Sequence, residues 1–279
     1  MRKIRKPTDV SENVYVACVN IVRDNGLRNR LIAAKNLIGT ASGEFDSKAS
    51  RGNIHTIARE NTVNGNITKK ELEEVYTLRM ARKGAAGRPI YDRILLSAEL
   101  GICPLCSHRE ATTIDHYLPK TEYPRLTVTP INLLPCCKDC NDIKDAFYPR
   151  NSHEELIHPY YDDIETDHWL TASIQQSVPC TFIYSVSPPD GWPHLLSDRV
   201  RFHFAKLQLS RLYATQAAVE LSMIRAQLSK LLNISGIAGV KAYLSEGEET
   251  RSEANKNSWQ AVFYRTAMND DWFCSGGFQ

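Results

Sequence analysis

The spacing of apolar residues predicts helices over most of the first hundred positions. Four runs repeat at helical spacing, at Glu12–Arg23, Leu27–Leu37, Thr68–Lys83 and Ile90–Leu100. Ser11 is a residue type that caps helices, and Asp24-Asn25-Gly26 predicts the stop of the first run. Thr68-Lys-Lys-Glu71 has the pattern of a capping box. The small and polar residues Gly39–Gly52 predict a loop. This third of the chain is therefore expected to be helical.

Shorter apolar segments follow, and their pattern changes from helical to extended. Thr113–His116 and Val128–Leu134 predict two strands of a hairpin, joined by a long loop that contains several prolines. Asp139–Phe147 then predicts a helix. A strand-strand-helix unit of this kind would bring together polar residues that are far apart in the sequence.

The last third returns to helices after one strand. Cys180–Val186 alternates like a strand, and the run 203–232 carries apolar residues at spacings of seven, three and four. Gly236–Gly239 predicts a break, Glu246–Glu253 a solvated loop or helix edge, and Trp259–Ala267 a final helix. The long run can be a core helix or a helix that binds a partner protein. The expected class is α+β and mostly helical, in three regions: 1–88, 89–160 and 161–279.

Composition excludes several classes of protein. The net charge of +2 gives no global attraction for nucleic acid, so any binding surface must be a local patch. One candidate is the start, where residues 1–35 hold eight Lys and Arg against three acids; a solvated terminus is the alternative. We expect no secretory signal and no membrane span, since no apolar run is long enough. The eight cysteines do not form a disulfide framework, which favours a cytoplasmic protein.

Four of those cysteines form two Cys-x-x-Cys pairs. Cys103 and Cys106 are separated by 30 residues from Cys137 and Cys140. Four thiolates are enough to close a tetrahedral Zn²⁺ site, and a closed site is structural rather than catalytic. Cys136 precedes Cys137 directly, but the matching spacing favours Cys137 as the ligand.

The segment from Cys103 to Cys140 is here called the zinc loop. Polar residues within it and just after it have the chemistry of phosphodiester hydrolysis. His116 can take a proton from water, because its ordinary pKa lies near neutrality. Asp115 and Asn141 offer the oxygen ligands that Mg²⁺ prefers. Asn132 can bond to the loop that carries His116. Lys120 and Lys144 are candidates to bind substrate phosphates, with an ordinary surface role as the alternative. His158, in a Pro-Tyr-Tyr context, is predicted to pack rather than to bind metal.

Across about 47 residues, this arrangement resembles the HNH, or His-Me finger, endonucleases in their zinc-stapled form. The matching segments are Cys103-Pro-Leu-Cys106, Asp115-His116-Tyr-Leu-Pro119, Asn132-Leu133 and Cys137-Lys-Asp-Cys140-Asn141-Asp-Ile-Lys144. The resemblance implies a ββα-metal core with a structural zinc. It implies that His116 activates water, that Asp115 and Asn141 bind Mg²⁺ or Mn²⁺, and that Asn132 steadies the hairpin. The chain departs from the pattern at Asn141, where the family name has histidine; asparagine keeps an oxygen ligand.

A looser likeness extends beyond the zinc loop. Gly87-Arg-Pro-Ile-Tyr-Asp92, Tyr123-Pro124 and His158-Pro-Tyr-Tyr-Asp162 are similar to segments of the HNH subunits of Septu-type anti-phage systems (PtuB-like), including those attached to retrons. This likeness implies a nuclease effector that works with a PtuA-like ATPase partner, possible membership of a retron complex, and DNA as the favoured substrate. Two alternatives remain: cleavage of RNA, such as tRNA, at the same site, and a non-catalytic zinc-stapled module that binds nucleic acid or the ATPase.

Overall fold

The computed structural model describes residues 1–279, which fold as two units, Met1–Asp163 and Ile164–Gln279. Helices dominate both units, and three antiparallel two-stranded sheets complete an α+β fold. The expected α+β class is therefore confirmed. No helix combines the length and the apolar character that a membrane span requires.

Five helices precede the zinc loop in the first unit. They are α1 (Ser11–Val19), α2 (Asn25–Ala33), α3 (Lys35–Ala49), α4 (Lys69–Tyr76) and α5 (Arg88–Leu96). The prediction of a loop at Gly39–Gly52 was wrong, because α3 covers most of it. Buried Ile38, Ala41 and Phe45 lie on one face of α3. Gly39 on this helix lies against the Glu12 side chain of α1: an added Cβ would lie 1.9 Å from its Oε1, so Glu12 would have to move.

The helix ends test the capping predictions. The capping box is confirmed, since the Thr68 hydroxyl accepts from the backbone N–H of Glu71 and the Glu71 carboxylate accepts from that of Thr68. The Ser11 cap was wrong: Val10 holds the N-cap position, and Ser11 pairs through Oγ with Ser42 Oγ at 2.7 Å. Asp24, expected in a stop, caps α2 by accepting from Leu27 N at 2.9 Å.

The hairpin of the zinc loop consists of β3 (Thr113–His116) and β4 (Leu133–Cys136). A smaller antiparallel sheet precedes this hairpin in the chain. Its two strands, β1 (Thr62–Val63) and β2 (Ile67–Thr68), have two residues each. In the register of β3 and β4, Asp115 faces Leu134 and His116 faces Leu133. β4 begins later than predicted because short 3-10 turns occupy 124–126 and 130–132, each opened by a proline. Helix α6 (Lys138–Lys144) follows directly.

One apolar core joins the helices to this hairpin. Tyr15, Leu72 and Met80 from the helical start are buried in the same cluster as Ile114 and Leu133 from the hairpin. The residues on either side of position 88 therefore share one unit and one core. This shared core fixes the hairpin against α4 and α5.

The second unit packs one strand pair against helices. Its elements are β5 (Leu170–Gln175), β6 (Thr181–Val186), α7 (His194–Lys206), α8 (Leu209–Asn255) and α9 (Trp259–Met268). The break predicted at Gly236–Gly239 is confirmed at Gly236, whose φ is 62° within α8. Arg251 contacts Glu220 at 3.3 Å across this break, so α8 is a helical hairpin. Glu246–Glu253, expected as a loop or helix edge, is helical.

Candidate functional site

Four cysteine sulfurs meet in the interior of the first unit. The Sγ atoms of Cys103, Cys106, Cys137 and Cys140 all lie within 4.8 Å of one another, and all four residues are buried. Zn–S bonds of about 2.3 Å in a tetrahedron place sulfurs roughly 3.8 Å apart. The Sγ atoms of Cys106 and Cys137 are 4.0 Å apart, which fits that geometry. The group can therefore hold a metal such as zinc.

Local structure brings the second cysteine pair into position. Cys137 is the N-cap of α6, where its sulfur accepts from the backbone N–H of Cys140 at 3.3 Å. The hydrogen bond from Cys103 lowers the pKa of both Cys106 and Cys137, which favours thiolates there. Cys136 is buried but stands outside the four-sulfur group, and burial raises the pKa of its thiol.

Asp115 lies at the centre of a buried ion pair. The ammonium of Lys144 is 3.0 Å from Oδ2 of Asp115 and donates to the carbonyl of His116 at 2.6 Å. Lys144 is only 2% exposed, so its charge is used inside the protein and does not lie at the surface. Burial raises the pKa of Asp115, and the Lys144 ammonium opposes that rise. No hydrogen-bond donor is well oriented towards Oδ2, and the Lys144 ammonium, 3.0 Å away, is the cation that this oxygen faces.

His116 has one ring nitrogen tied to the backbone. Its Nε2 lies 2.8 Å from the carbonyl oxygen of Thr127, and only a protonated Nε2 can donate to that oxygen. In the neutral ring, Nδ1 is then the nitrogen with a free lone pair. Burial lowers the pKa of His116 to about 3, so the ring is neutral at pH 7. A neutral imidazole of this tautomer can accept a proton at Nδ1.

Asn132 ties the loop after His116 to the rest of the hairpin. Its side chain is fully buried, accepts from Leu118 N at 2.8 Å, and donates to the carbonyls of Leu118 and Leu126 at 3.0 and 3.2 Å. The amide nitrogen thus uses both of its hydrogens, and the amide oxygen accepts one of the two hydrogen bonds that it can accept. The arrangement holds residues 116–118 in place over the hairpin.

A cavity of about 440 Å³ collects the polar groups at the surface of this unit. Its wall includes Asp115, His116, Lys120 and Asn141, which come from β3, the loop that follows and the first half of α6. The structure therefore brings four of the sequence-predicted site residues to one cavity. Lys144 does not line the cavity but contacts Asp115 and His116 of its wall, whereas the side chain of Asn132 bonds to Leu118 and Leu126, outside the lining. The zinc cysteines do not line it.

Tyr76 is a residue of this site that the sequence analysis missed. It ends α4, lines the cavity, and packs edge-on against the His116 ring with 4.4 Å between ring centroids. Tyr91 of α5 lines the same wall, 6.5 Å from Tyr76. Tyr76 stands in no motif, and only its position on a helix that packs against the hairpin could have indicated it. Tyr91 belongs to the segment Gly87-Arg-Pro-Ile-Tyr-Asp92, but nothing in that segment indicated a place at the cavity.

His158 packs among aromatic rings. It stacks on Tyr117 at 4.4 Å and meets the edges of Tyr161 and Phe45 at 4.8 and 5.9 Å. Its Nδ1 accepts from the backbone N–H of Tyr160. These contacts are those of a packed histidine, and no other metal-ligating residue joins it in a cluster.

Four of the eight basic residues at the start of the chain form ion pairs. Lys3 pairs with Asp163 at 3.1 Å, Lys6 pairs with Asp46, and Arg30 pairs with Glu71 at 2.6 Å. Arg2 similarly contacts Glu99. The ion pairs of Arg2, Lys3 and Lys6 hold the start of the chain against the rest of the first unit. The paired residues are therefore not free to form the basic patch that the sequence suggested.

Comparisons with known proteins give two likenesses of different extent. The chain is 27% identical over 296 residues to protein ea31 of Escherichia phage lambda, covering 99% of this chain and all of that protein. It is 35% identical over 81 residues to Septu protein PtuB of Bacillus thuringiensis, covering 27% of this chain and 31% of PtuB. No family model and no solved structure matches the chain. The likeness to PtuB is thus confined to one segment.

Proposed function

We propose that this protein is a metal-dependent endonuclease of the HNH type, whose ββα-metal core is formed by β3, β4 and α6. The observation that carries the proposal is the cavity: Asp115, His116 and Asn141 line it together, and the backbone carbonyl of Thr127 orients the imidazole. An imidazole with one free nitrogen beside oxygen donors is suited to activating water against a phosphodiester.

In the proposed reaction, Nδ1 of His116 takes a proton from a water molecule. The water oxygen attacks the phosphorus atom in line, the bond to the 3′ oxygen breaks, and that oxygen takes up a proton. Products carry 5′-phosphate and 3′-hydroxyl ends. Mg²⁺ or Mn²⁺, held by Asp115 and Asn141, would supply charge stabilisation at the phosphate and at the departing oxygen. Lys120 lies where it can bind a substrate phosphate.

Other residues in the proposal hold this geometry. Asn132 fixes the loop after His116 through three hydrogen bonds of its side chain, two to the backbone of Leu118 and one to that of Leu126. Lys144 binds Asp115 and the His116 carbonyl, which makes it a positioning residue rather than a phosphate contact. Structural Zn²⁺ on the four cysteines would join the start of α6 to the segment before β3.

The biological setting is proposed from the segment shared with Septu protein PtuB. That likeness supports a role in anti-phage defence with a PtuA-like ATPase partner. Membership of a retron complex is proposed from the sequence resemblance alone. DNA is the favoured substrate. Because water is the nucleophile, the mechanism does not need the 2′-hydroxyl and is equally open to RNA, including tRNA.

The test is cleavage by the purified protein, alone and with a candidate ATPase, of plasmid DNA and of total RNA in Mg²⁺. We expect EDTA to abolish cleavage. We also expect His116→Ala to abolish cleavage while the zinc content and the fold of the variant stay unchanged. Cleavage retained by His116→Ala would overturn the assignment of the base. Binding of nucleic acid without cleavage under every condition would favour the non-catalytic zinc-stapled module.

A further inference from the structure

The cavity has a second wall that the HNH core does not provide. Tyr76 and Ala81 come from the end of α4 and the π-helical turn after it, and Tyr91 comes from α5. Between them runs the segment Arg82–Gly87, here called the rim loop. Its first residue directly follows the cavity-lining Ala81, so the rim loop leaves from the edge of the cavity.

The rim loop is held in one shape by the residues at its end. Gly87 donates from its backbone to the carbonyl of Arg79 at 2.8 Å, and Arg88 donates to the carbonyl of Ala81 at 2.6 Å. A Cβ at Gly87 would lie 2.6 Å from the sulfur of Cys18, so only glycine allows this approach. Gly84, with φ of 77°, makes the turn in open space.

Two cations at the start of the rim loop have no counter-ion. Arg82 and Lys83 are exposed, and neither forms a salt bridge, unlike the paired Lys and Arg of the chain's start. Lys120, which lines the cavity, forms no salt bridge either, although its charge acts on the nearby carboxyl of Asp115 and favours a lower pKa there. Of the acids lining the cavity, Asp115 is paired with Lys144 and Asp142 with Lys138, which leaves Asp145 as the unpaired one. Unpaired positive charge is thus in excess at this mouth.

We propose that the rim loop binds backbone phosphates of the nucleic acid that enters the cavity, through Arg82 and Lys83. This inference rests on the proposed function, since it takes nucleic acid as the substrate of the cavity. Contacts of this kind position the strand and do not read bases, because phosphates carry no sequence information. A shaped loop with two uncompensated cations meets a polyanion without first breaking internal ion pairs.

The test measures binding by the full-length protein carrying His116→Ala, so that cleavage does not interfere. Fluorescein-labelled 20-base-pair duplexes of three unrelated sequences are titrated by anisotropy from about 50 to 200 mM KCl, the range over which phosphate contacts weaken. Each phosphate contact contributes about 0.9 to the slope of log affinity against log salt. We expect Arg82→Ala/Lys83→Ala to reduce that slope by about 1.8, equally for all three duplexes.

Matched variants separate phosphate contact from net charge and from folding. Arg51→Ala/Lys70→Ala removes one exposed arginine and one exposed lysine of the same unit that lie outside the rim loop, and should leave the slope unchanged. Arg82→Lys/Lys83→Arg keeps both charges and should also keep the slope. Zinc content and circular dichroism report folding of each variant.

The inference is overturned if the rim-loop variant and the control show equal slopes, if the loss depends on duplex sequence, or if the His116→Ala parent binds no duplex. Cleavage by the unmodified protein is scored separately. If the protein cleaves nucleic acid but binds it equally well without Arg82 and Lys83, the proposed function stands and this inference is rejected. If binding depends on the rim loop but no cleavage occurs, this inference stands and the proposed function is rejected.

Discussion

The two units of this chain bury very different interiors. The first buries a carboxylate, an ammonium and a histidine side by side at Asp115, Lys144 and His116, next to a group of four sulfurs. The second fills its interior chiefly with aromatic and aliphatic side chains: Trp169, Phe182, Tyr184, Tyr213, Phe263 and Phe273. Buried polar groups cost free energy unless they are paired, so this cluster in the first unit depends on the ion pair and the hydrogen bonds around it. The second unit also buries Arg199 and His203, four residues apart on α7, within an interior that is otherwise mostly apolar.

Removal of one sulfur from the four-cysteine group should have the largest effect. Cys137→Ser is expected to lose bound zinc and to destabilise the protein by at least about 5 kcal/mol, because structural zinc contributes roughly 10–16 kcal/mol of apparent binding free energy to folding. Cys136→Ser, at the neighbouring buried position, should keep one zinc and cost about 1–3 kcal/mol. Metal analysis and urea unfolding of both variants provide the check. Zinc lost from Cys136→Ser but kept by Cys137→Ser would reverse the ligand assignment.

The buried ion pair should come next. Lys144→Met leaves the carboxylate of Asp115 buried without its cation, which we expect to destabilise the protein by about 3–5 kcal/mol. Lys241→Met, which removes the exposed partner of Asp271 in the second unit, should not change stability measurably. Urea midpoints of the two variants measure the difference. Equal midpoints would mean that Asp115 is not held as the structure has it.

A pair of buried asparagines gives the sharpest contrast between stability and function. Asn132 and Asn257 each make three hydrogen bonds to backbone groups; those of Asn257 join Trp169 N, Leu170 N and the carbonyl of Asp167. Either change to alanine leaves buried backbone groups unpaired and should cost about 3 kcal/mol. Only Asn132→Ala should also reduce cleavage, by at least about tenfold.

Cleavage is measured at a temperature where both asparagine variants remain folded, as shown by circular dichroism. Similar losses of activity in the two variants would mean that Asn132 acts through general stability alone. Loss of activity in Asn257→Ala alone would mean that the second unit contributes to the reaction.

Two glycines should give the smallest effects, of opposite sign. Gly236→Ala places a side chain at φ of 62° in the turn of α8 and should destabilise by about 1–2 kcal/mol. Gly43→Ala, on α3 with open space around the added Cβ, should stabilise by roughly 0.5–1 kcal/mol, because alanine favours helix more than glycine does. Thermal unfolding distinguishes the signs. Stabilisation by Gly236→Ala would mean that α8 is continuous.

Residue patterns predicted the local features where neighbouring residues supply the interactions. The Thr68–Glu71 capping box and the break at Gly236 depend on residues within a few positions, and the structure contains both. The strand Thr113–His116 is also present as predicted, although it pairs with the distant Leu133–Cys136. The four-cysteine group was also predictable, since two pairs of matching spacing have few other uses. The helix over most of Gly39–Gly52 was not, because its glycines and serines favour a loop locally, and the burial of Ile38, Ala41 and Phe45 is visible only in the tertiary structure.

The sequence alone determined which chemical groups are present near one another along the chain: four thiols, an Asp-His pair and the asparagines after it. Tertiary structure decided how each is used. It buried Lys144 against Asp115, it chose the free nitrogen of His116 through Thr127, and it brought Tyr76 against that imidazole from forty residues away. Protonation, tautomer and access depend on burial and on partners that are distant in sequence, and no local pattern encodes those.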